Sequence, residues 1–388
     1  MVRLGDVCTF YSGTGFPNIY QGKADGKYPF YKVGDISRNV LSGNRELKIC
    51  ENYIDDDTVT KIKGTLLPPQ TVVFAKIGEA LRLNRRAITS HDCLVDNNAM
   101  GIKSDDSIID SLYFYYFMCN VDLQNYCEST TVPSVRKTRI AEIEIPLPPL
   151  AEQRRIAAVL DKVSGLIAKR WEQLRKLDEL VKARFVEMFG DPVSNPKGWN
   201  KGTIRDVVSE VKYGTSRPAV DGGTYKYLRM GNITFDGNLD LSDLKYINIP
   251  DSELEKCIVR KGDVLFNRTN SKELVGKTCV FDLDEPMVIA GYIIRVRVNK
   301  KVLPIYLSAV LNSRYGKQTL ADMCKAIVGQ ANINAQELQN IAILIPPIEL
   351  QEKFSNSAET VKKSKLTIQQ SLDKLEVLKK ALMQQYFG

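Results

Sequence analysis

The sequence predicts an α+β protein in which two globular domains with curved β-sheets are separated by an antiparallel pair of long coiled-coil helices. Three observations predict this fold. Two long segments have helical periodicity, they share one register without a gap, and the segments that precede them are diverged copies of each other. Together these observations indicate an internal repeat with pseudo-twofold symmetry.

The first long segment, residues 148–190, is predicted to be a single helix. Its apolar residues recur in alternating steps of four and three, which is typical of a coiled-coil seam. The pair Pro148 and Pro149 suits a helix start, and Gly190 suits a helix end. Such a helix would be about 60 Å long. The seam consists of Ile156, Leu160, Val163, Ile167, Leu174, Leu177, Val181 and Met188, interrupted by Arg170 and Arg184.

The second long segment, residues 346–388, aligns on the first without a gap, with Pro346 opposite Pro148 at a constant offset of 198. Neither helix can bury its apolar stripe alone, so we expect the two to pack against each other in antiparallel directions. The alternative is two independent surface helices, which would not need a shared register. The second seam consists of Phe354, Ala358, Val361, Ile368, Leu372, Leu375, Leu382 and Tyr386, interrupted by Lys365 and Lys379.

The remaining segments form two globular blocks that resemble each other more loosely. Residues 28–36 match 225–233, and residues 71–76 match 263–268. Short β-rich runs at 66–76, 262–267 and 287–298 predict strands, while 110–120 and 304–316 predict helices. The predicted domains are a first globular domain at 1–147, a central spacer helix at 148–190, a linker with the second globular domain at 191–345, and a C-terminal spacer helix at 346–388.

Composition points to an ordinary globular protein with a modest basic excess. The chain is 44% hydrophobic and 26% charged with a formal net charge of +8, which permits a polyanionic partner without requiring one. Residues 1–10 lack the basic start and apolar run of a signal peptide. The eight cysteines never form a Cys-x-x-Cys pattern, which fits reduced thiols and argues against zinc. We therefore expect a cytoplasmic protein.

Signals for catalysis are sparse. His91 is the single histidine, which excludes most histidine-based mechanisms. The chain has no Walker A sequence, and Gly13 and Gly15 lack the third glycine of a dinucleotide loop. Each Pro-Pro pair follows an apolar residue, Leu147 or Ile345, where an amino-methyltransferase site would have Asn or Asp. We expect no catalytic residue, no metal site and no cofactor site in this chain.

Signals for nucleic-acid binding are stronger, because basic and amide residues recur at matching positions of both halves. Such side chains contact phosphates and read base edges. The alternative is that these segments are solvated turns, in which Asn, Gly and Ser are common. The candidate DNA-binding residues are Lys32, Lys76, Arg82, Arg85, Arg86, Thr131, Ser134, Arg136, Lys137, Arg229, Asn232, Arg268, Thr269, Asn270, Ser271, Lys272, Lys277, Gln330, Asn332 and Asn334.

Several motifs carry a resemblance to a known family over almost the whole chain. The segments GDVLFNRTNSKELVGKT, VGQANINAQELQNIAILIPP and TTVPSVRKTRIAEIEIPLPPLAEQ, with two helices that end in Phe-Gly, resemble the specificity subunit of type I restriction-modification systems. The resemblance implies two target-recognition domains that each bind one part of a split DNA sequence, and helices that dock two methyltransferase subunits. Restriction subunits are a possible further partner. Catalysis with S-adenosylmethionine, ATP and Mg would belong to the partner subunits.

The two halves differ within these motifs. The first has Val132-Pro133 where the second has Ala331-Asn332, it lacks a match to Gln330, and residues 75–78 differ from 267–270. If these loops read bases, the target is bipartite and non-palindromic. We expect the basic residues Lys76, Arg85 and Lys272 to contact phosphates, while the base-reading residues are Arg268, Asn270, Gln330 and Asn332.

Two alternatives remain at this point. The chain could be a non-catalytic coiled-coil scaffold that binds proteins through its two β-rich domains, in which case no salt-dependent DNA binding is expected. It could also be an enzyme, which the scarcity of catalytic motifs opposes.

Overall fold

The computed structural model describes residues 1–128, 132–271, 274–324 and 331–388. Contacts divide the chain into two compact units. Unit one is Met1–Glu172 with Ile368–Gly388, and unit two is Gln173–Thr367. Each unit contains a globular part and one half of each long helix. The domain boundaries at 147, 190 and 345 separate globular parts from helices, and they stay a prediction.

Unit one combines three sheets with short helices. A four-stranded antiparallel sheet has the order β2-β8-β5-β6, a three-stranded sheet has the order β4-β3-β7 with β3 and β7 parallel, and β1 pairs with β9. In chain order the elements are β1 (Val2–Arg3), α1 (Leu4–Val7), β2 (Cys8–Ser12), β3 (Tyr28–Tyr31), α2 (Val33–Leu41), β4 (Tyr53–Ile54), α3 (Asp56–Lys61), β5 (Val72–Ala75), α4 (Glu79–Arg82), β6 (Ala87–Ile88), β7 (Leu94–Val95), β8 (Ala99–Ser104), α5 (Ser111–Asn120), α6 (Lys137–Ala141) and β9 (Glu144–Ile145), with 3-10 turns at Asn18–Tyr20 and Leu123–Tyr126.

The first long helix, α7 (Leu150–Phe189), begins in unit one and ends in unit two. Unit two then repeats the sheet plan of unit one. Its antiparallel sheet has the order β11-β19-β15-β17, a second sheet has the order β13-β12-β18-β14, and two pairs are β10-β21 and β16-β20. The elements are β10 (Asn200–Thr203), β11 (Val208–Tyr213), β12 (Tyr225–Leu228), β13 (Lys245–Ile247), α8 (Asp251–Cys257), β14 (Ile258–Val259), β15 (Val264–Asn267), β16 (Thr269–Asn270), β17 (Thr278–Val280), β18 (Met287–Ile289), β19 (Ile293–Val298), α9 (Pro304–Asn312), α10 (Arg314–Met323), β20 (Ala331–Asn332), α11 (Ala335–Gln339), β21 (Ala342–Ile345) and α12 (Ile348–Phe387), with 3-10 turns at Ile204–Val207 and Met230–Asn232.

The two long helices run antiparallel within each unit. In unit one, Leu160 near the start of α7 shares a buried cluster with Met383 near the end of α12. In unit two, Phe189 at the end of α7 packs against Phe354 near the start of α12, with ring centroids 5.5 Å apart. The predicted α+β class with paired long helices and an internal repeat is therefore confirmed.

The predicted seam residues are all buried or half-buried, so the periodicity located the contact face correctly. One polar interruption has a clear partner, because the Lys365 ammonium lies 2.6 Å from an Asp178 carboxylate oxygen on the facing helix. The Arg184 position differs from expectation. Arg184 is exposed, and the neighbouring Phe185 is buried against Phe354 instead.

A buried glutamine fixes the start of each long helix. In unit one the Gln153 side chain donates from Nε2 to the carbonyl oxygens of Ile108 (3.0 Å) and Pro148 (2.8 Å) and accepts from the Asp110 N–H at 2.9 Å. Three otherwise unpaired backbone groups are thereby satisfied inside the protein.

Gln351 makes the same three bonds in unit two. It donates to Lys301 O (3.1 Å) and Pro346 O (2.8 Å) and accepts from the Leu303 N–H at 2.8 Å. Both glutamines are at most 1% exposed. We call each of these sets of three hydrogen bonds a glutamine clamp. The two clamps give a physical reason for the ungapped register, because shifting either helix by one residue would break all three bonds of its clamp.

Two predicted elements are divided in the structure. The run 287–298 is two strands, β18 and β19, joined by a turn, and the stretch 304–316 contains all of α9 and the start of α10. The described part of the chain contains no helix of the length and apolarity needed to span a membrane.

Candidate nucleic-acid interface

In unit one, the chain that leaves strand β5 is held by backbone hydrogen bonds on both sides. The Lys76 N–H donates to Asn98 O at 2.8 Å, and Lys76 O accepts from the Val135 N–H at 3.0 Å. The next residue, Ile77, forms an antiparallel bridge with Ser134. Lys76 is thus fixed between two loops at the end of the sheet.

Unit two builds the same frame at the end of β15. The Arg268 N–H donates to Tyr292 O at 2.9 Å, and Arg268 O accepts from the Ile333 N–H at 2.9 Å. Thr269 then pairs with Asn332 through strands β16 and β20. Arg268 therefore occupies the position that Lys76 occupies in unit one.

This frame corrects the alignment of the loops by one residue. Bridging positions show that Ser134, rather than Pro133, is the counterpart of Asn332. Both loops thus place a small polar residue opposite the residue that follows the cation. The halves are more alike at this point than the aligned sequences suggest.

A second pair of cations also matches. Arg85 precedes β6 by two residues and Lys277 precedes Cys279 on β17 by two residues, where β6 and β17 are the corresponding partners of β5 and β15. Arg85 is half-buried. Lys277 is 9% exposed, and burial lowers the pKa of its ammonium. Each unit therefore carries two basic residues at equivalent positions of its sheet.

The Arg268 guanidinium lies over the ring of Tyr213, with 4.9 Å between its central carbon and the ring centroid. The Tyr213 hydroxyl accepts the Ala335 N–H at 2.8 Å, which fixes the ring. The Arg268 Nε is buried without a hydrogen-bond partner. A guanidinium restrained by contact with an aromatic ring is pre-organised to donate two parallel hydrogen bonds, as to the O6 and N7 atoms of guanine.

Polar side chains surround this arginine. The Thr269 hydroxyl lies 3.2 Å from Asn332 Oδ1, while the Asn332 residue is exposed. The Asn270 Oδ1 accepts the Ser271 N–H at 2.9 Å. The structure therefore brings together Arg268, Thr269, Asn270 and Asn332, which the sequence placed in two distant motifs. Thr131, Lys272 and Gln330 lie outside the described residues.

Arg86 does not belong to this surface. It is 3% exposed, its Nη2 donates to Asn84 Oδ1 at 2.7 Å and Val121 O at 3.3 Å, and it lies 4.9 Å from the Phe74 ring centroid. Burial lowers the pKa of its guanidinium to about 10. A phosphate could reach Arg86 only if the side chain left this pocket, so its contacts in the structure are structural and its DNA contact stays a prediction.

Two amides among the candidates also serve the fold. Asn232 is 3% exposed and donates to Asp240 O at 2.8 Å, while its Oδ1 accepts the Arg229 N–H at 2.8 Å. Asn334 caps helix α11, its Oδ1 accepting the backbone N–H groups of Gln336 and Glu337 at 2.9 and 3.0 Å. These contacts use the atoms that base reading would need.

The remaining cations have intramolecular partners at the surface. The Arg229 guanidinium lies 2.7 Å from an Asp243 carboxylate oxygen, and the Lys32 ammonium donates to Gln21. Arg136 pairs with Glu128 at 2.7 Å, Arg82 pairs with Glu79 at 3.3 Å, and Lys137 lies 5.4 Å from the Phe10 ring centroid. The three arginine–carboxylate pairs among these contacts contribute little stability, and each arginine can exchange its carboxylate for a phosphate.

Sequence reasoning missed two features. The glutamine clamps have no local signature beyond the shared register. The turns that contain Asn98 and Tyr292 lie in segments that matched only loosely between the halves. A Gly-Tyr or Asn-Asn pair between two apolar runs is a turn signal that could have located them. In the described part of the chain, no group of three or more His, Cys, Asp or Glu residues is arranged to hold a metal ion.

Comparison with known proteins agrees with this duplicated arrangement. The EcoKI type I restriction enzyme specificity subunit of Escherichia coli K12 is 23% identical over 279 residues, which cover 67% of this chain and 60% of that protein. The MjaVIII specificity subunit of Methanocaldococcus jannaschii is 24% identical over 412 residues, covering 99% of this chain and 90% of that protein.

A solved structure shares the fold. The S subunit of a type I restriction-modification system from M. genitalium superimposes with a TM-score of 0.60 at 13% sequence identity, covering 100% of this chain and 95% of that one. The family model described as type I restriction modification DNA specificity domain matches residues 1–176 and again residues 196–378. The chain therefore belongs to the type I restriction modification DNA specificity domain family.

Proposed function

We propose that this chain selects the DNA sequence for a type I restriction-modification complex, each half reading one part of a bipartite, asymmetric target. The observation that carries the proposal is the repeated frame around Lys76 and Arg268. A DNA-reading surface needs fixed backbone and variable side chains, and this frame provides both. The relatives named above, which are specificity subunits, support the same function.

Within each half, two roles are proposed. Two half-buried cations of unit one, Lys76 and Arg85, contact phosphates and set the register on the duplex. The equivalent cation of unit two, Lys277, is 9% exposed and must turn outward to make the same contact. Arg268 and Asn332 read base edges in unit two, together with Asn270. Gln330, Lys272 and Thr131 keep the DNA-binding roles expected from the sequence.

Catalysis belongs to partners in this proposal. The long helices α7 and α12 dock two methyltransferase subunits, which use S-adenosylmethionine, and restriction subunits supply ATP- and Mg-dependent steps where they are present. Exposed apolar side chains on α7 support a docking role, Trp171 being 54% exposed and Leu180 53% exposed. Burying them against a protein partner would remove apolar surface from water.

Salt-dependent DNA binding tests the proposal. The methyltransferase partner is assayed with and without this chain on duplex DNA that contains the site methylated in cells that carry both. We expect specific, salt-sensitive binding only with the chain, because phosphate contacts release counterions. Equal binding with and without the chain contradicts the proposal. The scaffold alternative predicts that second result, together with methylation that does not depend on the chain.

A further inference from the structure

A tight turn reaches the candidate interface in each unit. In unit one, the Ala99 N–H donates to Asp96 O at 2.9 Å, so residues 96–99 form a four-residue turn between β7 and β8. In unit two, the Ile293 N–H donates to Ala290 O at 2.8 Å, so residues 290–293 form the same turn between β18 and β19. Asn98 and Tyr292 occupy the same position of the two turns.

Both turns rest on a glycine that allows close backbone approach. A Cβ atom at Gly13 would lie 1.8 Å from Asp96 O, and a Cβ atom at Gly214 would lie 2.3 Å from Ala290 O. No other residue type fits at these glycines without moving the turn. The turn backbone is therefore held in one place against the sheet.

Additional bonds fix the first turn. The Asp96 carboxylate accepts the Asn98 N–H at 2.9 Å and the Val33 N–H at 3.1 Å. In unit two the corresponding residue is Ala290, which offers no carboxylate, and the turn relies on its backbone bonds. The backbone of Asn98 and of Tyr292, which we call the tips of the two turns, is therefore fixed in both units, while the two side chains differ.

The tips point away from the core. Asn98 is exposed, and the Tyr292 residue is 53% exposed. Neither side chain has a hydrogen bond or ring contact with any of the described residues. Exposure of a large aromatic ring to water on a rigid turn is unfavourable, and a ligand that covers the ring would remove this cost.

The tips also adjoin the cations of the interface. The carbonyl of Asn98 accepts the Lys76 N–H, and the carbonyl of Tyr292 accepts the Arg268 N–H. The backbone of each tip residue is thus hydrogen-bonded directly to the backbone of the residue proposed to contact DNA. A duplex that contacts Lys76 or Arg268 would therefore lie close to the turn of the same unit.

We propose that Asn98 and Tyr292 are sequence-reading residues, each contacting bases of the half-site that its own unit binds. This inference rests on the proposed function. An asparagine amide can pair with adenine N6 and N7 in the major groove. A tyrosine ring can pack against a thymine methyl while its hydroxyl makes one hydrogen bond to a base edge. An amide in one turn and a phenol in the other make the two half-sites different.

The test uses the full-length chain in complex with its methyltransferase partner and a library of randomised duplexes, whose methylated members are sequenced. Tyr292→Ala is compared with Tyr246→Ala, which alters a tyrosine that is 41% exposed on β13 of the same unit. Asn98→Ala is compared with Asn120→Ala, which alters an exposed asparagine at the end of α5. Thermal unfolding of each variant verifies that it is folded.

We expect Tyr292→Ala to reduce discrimination about fivefold or more at one or two positions of one half-site, and Asn98→Ala to do so in the other half-site. The control variants keep the original preference. The exchanges Tyr292→Asn and Asn98→Tyr provide second variants and should alter preference at those same positions. If every Tyr292 and Asn98 variant keeps the wild-type preference at all positions, the inference is overturned.

The outcome for the wild-type complex separates this inference from the proposed function. A wild-type complex that methylates without sequence preference contradicts the proposed function itself. A wild-type complex with a clear bipartite target, combined with unchanged variants, contradicts only the roles of Asn98 and Tyr292.

Discussion

The reading surfaces of the two units share a backbone and differ in their side chains. Lys76 corresponds to Arg268, Ser134 to Asn332, and Asn98 to Tyr292, and each pair is joined to its neighbours by the same backbone bonds. Main-chain hydrogen bonds place these positions, so the side chains can change without altering the frame. A duplicated chain can in this way acquire two different DNA preferences.

The long helices show the opposite behaviour. Their seams and their glutamine clamps have kept one register, because a shift of one residue would expose the apolar stripe and break buried hydrogen bonds. Helix packing therefore restrains the amino-acid sequence along the whole length of each helix. The backbone frame of the candidate interface restrains only the main-chain contacts, so its side chains are free to vary.

The largest effect is expected at the clamps. Gln351→Leu leaves Leu303 N, Lys301 O and Pro346 O without partners and should lower the free energy of unfolding by about 3 kcal/mol. Gln153→Leu should cost a similar amount in unit one. Chemical denaturation measures both, with the exposed Gln370→Leu on α12 as the matched control. A cost for one glutamine and none for the other would show that the two helix starts are not equivalent.

The next effect concerns the cations. Arg268→Ala should lose about 1–3 kcal/mol of discrimination at one base pair of one half-site, since a base-reading contact is removed. Lys76→Ala should weaken binding to all sequences and lower the salt slope by about 1, since a phosphate contact is removed. Titration of specific and non-specific duplexes at several salt concentrations measures both. An Arg268→Ala variant with unchanged affinity and preference would refute its assignment.

A smaller effect separates a helix cap from a reading residue. Asn334→Ala should destabilise unit two by about 1 kcal/mol, because two N–H groups of α11 lose their acceptor. The DNA preference should remain as in the wild type, whereas Asn332→Ala should change preference with little loss of stability. Melting curves and methylation of a randomised library give the two readouts. Altered preference in a fully stable Asn334→Ala variant contradicts the cap assignment.

The last prediction concerns the pH dependence of stability and is specific to helix α10 of unit two. Burial lowers the pKa of the Lys317 ammonium from 10.5 to about 8, although the ammonium lies 4.8 Å from the Phe235 ring centroid. Between pH 8 and 10.5 the unfolded chain then binds more protons at this lysine than the folded chain, so its contribution to stability rises with pH. The Lys317→Met variant has no ionisable group at this position, so its stability should not show this rise with pH.

The stability gained by Lys317→Met should therefore be largest below pH 8 and should shrink towards pH 10. Denaturant titrations across this range measure the difference from wild type, and the exposed Lys256→Met serves as the control. If the difference in the free energy of unfolding between Lys317→Met and wild type stays constant with pH, Lys317 is not desolvated in the folded protein.

Much of the architecture follows from the sequence, because a long apolar stripe has few ways to be buried. The periodicity located both helices and nearly all of the seam, failing at Arg184 where the neighbouring Phe185 takes the buried place. The division of 287–298 into two strands was missed, because buried apolar residues continue on both sides of the turn and its local signal is the single pair Gly291-Tyr292.

Site residues were harder to predict than elements. Arg85 and Arg86 are adjacent basic residues in the sequence, yet Arg86 enters the core while Arg85 stays at the surface. Asn332 and Asn334 both carry amide side chains in one motif, yet the Asn334 side chain caps the N-terminus of helix α11. Residue type indicates what a side chain can bind, while its direction depends on tertiary packing that the sequence does not display.

The central claim is that one backbone frame, used twice with different side chains, reads two different half-sites. The most direct measurement is the complete target of the wild-type complex, obtained by sequencing methylated members of a randomised duplex library. We expect a bipartite target whose halves differ, and each half should respond to changes in only one unit. A continuous or palindromic target, or a change at Arg268 that alters both halves, would contradict it.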